Sequence, residues 1–132
     1  MGLKQYQVAG LIPASDVDRA RKFYTETLGL ELDSSGPEGV TILRSADGTG
    51  IVVYPAPSAG QAAHTLAGWN VPDVQAEMAE LKAKGVTFEE YDMPELGIKT
   101  VEGIATLPVG TAAWFRDSEG NILGLFGPPS AS

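Results

Sequence analysis

The sequence predicts an α+β fold in which one strand, helix and three-strand unit is used twice. Two observations carry that prediction. Two amphipathic helix patterns each follow a short apolar, glycine-containing run, and the segments around them align with one another at fixed offsets.

The first run, "YQVAGLI" from Tyr6, reads as a strand, and "SDVDRARKFYTETLG" from Ser15 follows it as a helix. Val17, Ala20, Tyr24 and Leu28 fall on one helical face. Ser15 and Asp18 stand in capping-box spacing, and Gly29 supplies the stop. The second strand-like run, "TLAGWNV" from Thr65, precedes "PDVQAEMAELKAKG", whose Val74, Met78 and Leu81 share a face between Pro72 and Gly85. An offset of 57 residues carries Asp16, Val17 and Ile12 onto Asp73, Val74 and Trp69. An offset of 72 carries "LRSADGTGIVVY" onto "FRDSEGNILGLF", matching Arg44 with Arg116 and Gly48 with Gly120. The second half therefore holds an insertion of 15 residues, placed in "DMPELGIKTVEGIATLP" (92–108) and read as a long loop or lid. The expected organisation is a single domain, 1–132: module 1 about 4–55, linker 56–64, module 2 about 65–127 and a short tail 128–132.

Composition excludes several classes. Seventeen acidic against nine basic residues give a formal charge of -8, which repels phosphate backbones and argues against a nucleic-acid partner. No cysteine is present, so disulfides, thiolate metal sites and cysteine nucleophiles are out. The sequence has no apolar run of about 18 residues and no signal-peptide pattern at "MGLKQYQVAG", so a soluble, cytoplasmic protein without a membrane partner is expected. Phosphate-loop, dinucleotide, His-Glu-x-x-His and serine-elbow motifs are all missing.

"SDVDRARKFYTETLGLEL" and "WFRDSEGNILGLF", at this separation and with the internal repeat, resemble the glyoxalase, bleomycin-resistance and extradiol dioxygenase superfamily, also called vicinal oxygen chelate. The resemblance runs from about Lys4 to Gly127, with Ser118 where the family's hairpin has proline. It implies two βαβββ modules curling a mixed sheet around a cavity, paired in a two-fold homodimer. Metal-using members take a ligand, usually histidine, from the first strand of each module and another, usually glutamate, from the last. The repeat offsets place these positions at Ala9, Leu66, Val52 and Gly124, none of which carries a donor. A slip of two residues at Val52 meets Gly50 or Tyr54, and at Gly124 it meets Ile122 or Phe126. Neither a metal nor another cofactor is expected, and the site reads as a pocket for an organic molecule.

Strand alternation then nominates Gln7, Ala9, Leu11, Val52, Tyr54, Leu66, Gly68, Asn70, Ile122, Gly124 and Phe126 as one face. Val8, Ile12, Ile51, Val53, Trp69, Val71, Leu123 and Leu125 should pack on the helices. Trp114 and Arg116 share the cavity parity. Trp114 is read as a stacking platform or an interface filler, and Arg116 as the partner of a carboxylate ligand or, in the favoured reading, of an acidic neighbour such as Asp117 or Glu119. Gly124 either leaves room for a ligand or relieves crowding within the strand. In the insertion, Met93, Leu96, Ile98, Val101 and Ile104 should cover something apolar, while Asp92, Glu95 and Glu102 ring its mouth or stay solvated. His64, the sole histidine, is either a surface residue at the linker end or the one general-base candidate near the cavity. The expected function is metal-independent binding of a small, mostly apolar or aromatic molecule, with cations among the candidates, as in the family's antibiotic-binding branch. The alternative is a glyoxalase-like lyase or isomerase without the usual metal, with His64 or a tyrosine as acid or base.

Overall fold

The computed structural model describes residues 2–35 and 39–129, which divide into two compact units. The first comprises the chain through Ala62 together with the turn Asp117–Asn121, and the second begins at Ala63 and takes the rest.

In the first unit, β1 (Gly10–Ala14) leads to α1 (Val17–Lys22), which continues as one wider helical turn, Phe23–Thr27. There Leu28 N–H reaches back to Phe23 O at 3.1 Å. β2 (Glu31–Ser35), β3 (Thr41–Arg44) and β4 (Gly50–Pro55) complete a four-stranded sheet in the order β1-β4-β3-β2, with β1 parallel to β4. The strand begins at Gly10 rather than Tyr6, so Val8, expected in the core, stands outside it and is 89% exposed. Ile12, Leu43, Ile51 and Val53 are buried with Ala20 and Tyr24 of the helical segment. Burying each large aliphatic chain contributes roughly 1.5–3 kcal/mol. Asp16, not Ser15, caps α1 by accepting from Arg19 N–H at 3.0 Å. The Ser15 hydroxyl is committed instead to Glu119.

The second unit runs through β5 (Thr65–Asn70), α2 (Val74–Ala83), β6 (Asp92–Met93), β7 (Ile98–Val101), β8 (Ile104–Leu107), β9 (Gly110–Arg116) and β10 (Ile122–Gly127). Its sheet order is β5-β10-β9-β8-β7-β6, with β5 parallel to β10. α2, capped by Asp73, lies on β9 and β10 and buries Val74 and Met78 on the side that also holds Phe115, Leu123 and Leu125. The internal repeat is structural. Leu11 pairs with Val52 and Ile12 with Val53 in β1 and β4, while Gly68 pairs with Gly124 and Trp69 with Leu125 in β5 and β10. The same offsets of 57 and 72 residues relate the two sets.

The insertion is not a loop. β7 and β8 form a hairpin whose two-residue turn, Glu102 and Gly103, has positive φ at both positions, and β8 joins β9 to extend the sheet.

The turn Asp117–Asn121 is held by one buried carboxylate. Asp117 Oδ1 accepts from the backbone N–H groups of Glu119 and Asn121 at 2.8 Å each. Its Oδ2 accepts from Tyr24 Oη at 2.6 Å and Asn121 Nδ2 at 2.9 Å. Gly120, at φ 87, closes the turn by donating to Asp117 O, a conformation that side chains with a Cβ resist. Asn121 Nδ2 also donates to Pro13 O, and its Oδ1 accepts from Gly60 N–H. Next to it Glu119, its side chain fully covered, receives Arg19 Nε at 2.8 Å, Ser15 Oγ and Asp16 N–H. The Arg19 hydrogen bond, helped by those donors against the opposing cost of burial, lowers the Glu119 pKa from 4.5 to about 2.

Two outcomes are expected. Tyr24→Phe strips one of the Asp117 donors and should cost about 1–3 kcal/mol in urea unfolding at neutral pH. Because the Glu119 pKa is depressed by folding, its contribution is full above about 4.5 and is lost as pH falls towards about 2. Glu119→Gln should therefore destabilise at neutral pH and flatten the loss of stability across that acid range, and an unchanged acid slope would refute the assignment.

Candidate functional site

The face of the second sheet away from α2 carries the site. Along β9, Phe115 is fully buried towards the helix side, so its neighbours Trp114 and Arg116 turn to the other face. There Ala105, Ala112, Trp114 and Ile122 form a buried apolar cluster, with Tyr91, Ile98, Leu107 and Phe126 packed against it. A cavity of about 550 Å³ opens beside this cluster. Tyr91, Met93, Leu96, Ile98, Trp114 and Ile122 supply its apolar wall, and His64, Thr65, Glu90, Asp92 and Arg116 its polar groups.

Tyr91 is positioned by backbone pairing. Glu89 N–H donates to Trp114 O at 2.7 Å, which lays this segment along β9. Two residues on, Tyr91 N–H donates to Thr100 Oγ1, and Tyr91 O accepts from Thr100 N–H, both at 2.8 Å. The rings of Tyr91 and Trp114 consequently meet with centroids 5.4 Å apart at 59°. Burial and the negative charge of Glu89 raise the Tyr91 pKa against the opposing effect of Arg116, so its phenol is a protonated donor at neutral pH. Arg116 pairs with Glu89 at 2.9 Å rather than with Asp117 or Glu119, both of which are committed to the turn.

Phe126 gives Gly124 its meaning. A Cβ on Gly124 would fall 2.6 Å from Phe126 Cζ and 3.3 Å from Trp114 Cδ1, and one on Gly68 would fall 2.3 Å from Phe126 Cε2. The ring thus lies across both glycines, filling the space that the sequence reading offered to a ligand. Trp114, 7% exposed, is enclosed by Tyr91 and by Phe126, whose centroid is 6.4 Å away at 78°, so it is the centre of an aromatic cluster rather than an open platform.

The other sequence candidates are dispersed. Leu11, 64% exposed, pairs with half-buried Val52 on the face of the first sheet opposite its core, and Tyr54 follows on the same side. Gln7 and Ala9 precede β1 and are exposed, with Gln7 reaching Gly48 at the β3–β4 turn. A register shift in β5 sets Thr65 opposite Ile122, so Thr65 lines the cavity and Leu66 does not. Asn70 is exposed and pairs with Phe126 across the sheet. His64 is exposed at the cavity. From the insertion Asp92, Met93, Leu96 and Ile98 reach this cavity, whereas Val101 is 68% exposed and Glu102 borders a separate cavity beside α2. Tyr91 was missed by sequence reading, and the apolar spacing around it carried the only signal.

Among the described residues, no three His, Asp or Glu side chains are grouped to hold a metal ion. The positions aligned with the family's ligands do not fit one: Val52 and Leu66 are aliphatic, Ala9 is a methyl, and an acidic chain at 124 would first have to displace Phe126.

A two-module fold with this turn and this sheet order defines a class, and sequence comparison agrees. The chain belongs to the Glyoxalase/Bleomycin resistance protein/Dioxygenase superfamily, whose model matches residues 4–125. Among solved structures it resembles TnmS3, an antibiotic binding protein from Streptomyces sp. CB03234, at 26% identity over 93% of this chain and 97% of that one, with a TM-score of 0.68. A glyoxalase/bleomycin resistance protein from the same source is 27% identical over 88% and 95%, with a TM-score of 0.62. Lactoylglutathione lyase from Agrobacterium tumefaciens, at 16% identity over 92% of each chain and a TM-score of 0.64, shares the fold. No curated protein matches. No described helix is long and apolar enough to cross a membrane.

The donor chemistry predicts that chelator treatment leaves both the native mass and the melting temperature unchanged, and that added Mn²⁺, Ni²⁺ or Zn²⁺ does not raise the latter. Stoichiometric metal in the native mass spectrum would overturn the placement of the four positions.

Proposed function

We propose that the protein binds a small, largely apolar aromatic molecule in the second unit's cavity and does so without a metal. The observation that carries this is the Tyr91–Trp114 pair, set at 5.4 Å against an apolar wall with a few polar groups at its rim. Such a cavity rewards flat apolar surface, and its polar rim fixes orientation. The 26% identical antibiotic binding protein and the 27% identical glyoxalase/bleomycin resistance protein support this reading and an antibiotic as the molecule. Asp92 and Glu90, with a formal charge of -8 on the chain, favour a cationic ligand. We read the protein as cytoplasmic and as a homodimer, since β1 and β5 each end a sheet and leave backbone groups for pairing.

A second reading, a metal-free lyase or isomerase, draws on His64 and Tyr91 bordering the same cavity. The raised Tyr91 pKa opposes it, because a phenol held protonated transfers its proton reluctantly.

Proflavine, a planar tricyclic cation, is a suitable probe for calorimetric titration. Binding to the wild type is expected, and Trp114→Ala should weaken it by at least about 1 kcal/mol. A wild type that takes up neither proflavine nor a neutral ring such as 1-naphthol would refute the binding reading. Isomerisation of the hemithioacetal of an α-oxoaldehyde to its α-hydroxy thioester that disappears in His64→Ala would favour the enzyme.

A further inference from the structure

We propose that Phe126 is the specificity-determining residue of this face, forming with Trp114 a ring-sized corner that accepts one ring of a planar aromatic ligand. The inference rests on the aromatic-binding reading above and names a subsite outside the cavity walls. Gly68 and Gly124 are register partners on adjacent parallel strands, so two neighbouring positions on one face lack side chains. The Phe126 ring lies in that gap, as its contacts with both hypothetical Cβ atoms show. It remains half-buried, so part of it stays accessible. Trp114 stands at 78° to it, which makes a floor and a wall. A ligand ring laid on Phe126 would turn its own edge towards Trp114, the edge geometry that aromatic quadrupoles favour. Asn70, exposed and paired with Phe126 in register, places an amide at the border for a ring heteroatom or hydroxyl.

The first unit isolates the cause. At the equivalent positions it carries Leu11 and Val52, with Tyr54 in place of Phe126. Two branched side chains thus stand where the second unit has its glycine pair. The glycine at 124 is therefore the enabling half of an aromatic floor, and the residue type that the family places there for metal ligation is incompatible with it.

The test titrates proflavine into the wild type and three variants, with melting temperatures to establish folding. Phe126→Leu keeps apolar volume but removes the flat ring. Gly68→Ala keeps every aromatic residue but pushes the ring off its seat, since the new Cβ meets first the movable Phe126 ring and beyond it the Gly124 carbonyl oxygen at 3.1 Å. Phe126→Tyr retains the ring and should bind as the wild type does. A loss of about tenfold or more is expected for Phe126→Leu and for Gly68→Ala. Wild-type affinity in either of those two, or an equal loss in Phe126→Tyr, overturns the floor and leaves the cavity reading intact. Absence of binding to the wild type overturns both.

Discussion

The carboxylate of Asp117 is the constraint on which the most structure depends. A buried charge is tolerable only when its lone pairs are used, and this one accepts four hydrogen bonds, two from the backbone of its own turn and two from the side chains of Tyr24 and Asn121. Those bonds fix where β9 ends and β10 begins. The register that follows sets Ile122 against Arg116, Gly124 against Trp114 and Phe126 against Ala112. A slip of one residue would send Phe126 to the helix side and Leu125 to the opposite face. The turn therefore governs the aromatic face without touching a ligand. It also accounts for the two sequence signatures, since the tyrosine of "FY" and the aspartate and asparagine of "DSEGN" are partners in one network.

The two units show how one backbone plan carries two surfaces. Both pair their first and last strands in parallel, at equivalent registers. Both bury aliphatic residues under a helix. They differ on the opposite face, where the first presents Leu11 and Val52 and the second a glycine pair beneath an aromatic ring. Helix-side packing must stay apolar and filled, whereas the other face answers to whatever it contacts. The core of the two units keeps apolar residues of different size, Ile12 against Trp69 and Leu43 against Phe115, whereas the other face exchanges branched side chains for glycines.

Much of the fold was legible because its signals are periodic or paired. The 57- and 72-residue offsets reappear as strand registers, and alternation separated Trp114 from Phe115 correctly. Alternation failed where the backbone stops alternating. Gln7, Val8 and Ala9 lie outside β1, and the shift in β5 drops Leu66 from the sequence of faces. The inserted strands went unread because each is four residues or fewer and their tight turn is Glu-Gly rather than the stronger Asn-Gly or Asp-Gly signal. The Arg116 partner was misread because the nearest acids in sequence were already used, and Glu89 arrives through a β-bridge that joins Phe88 to Phe115. The aromatic floor was out of reach for a similar reason. Nothing along the chain shows that Gly68 and Gly124 are neighbours on one face until the strands are paired.

Among the described residues no buried side-chain nitrogen or oxygen lacks a hydrogen-bond partner. The buried acids Asp117 and Glu119 are balanced by donors of the turn and by Arg19. A carboxylate at position 124 would be an added charge in an apolar cluster, unpaired unless a cation came with it. Glycine removes that requirement, and Phe126 returns the lost contact area as ring surface. The charges that stabilise the turn and the rings of the aromatic face are thus on separate elements, so substitutions on that face leave the bonds that fix its register in place.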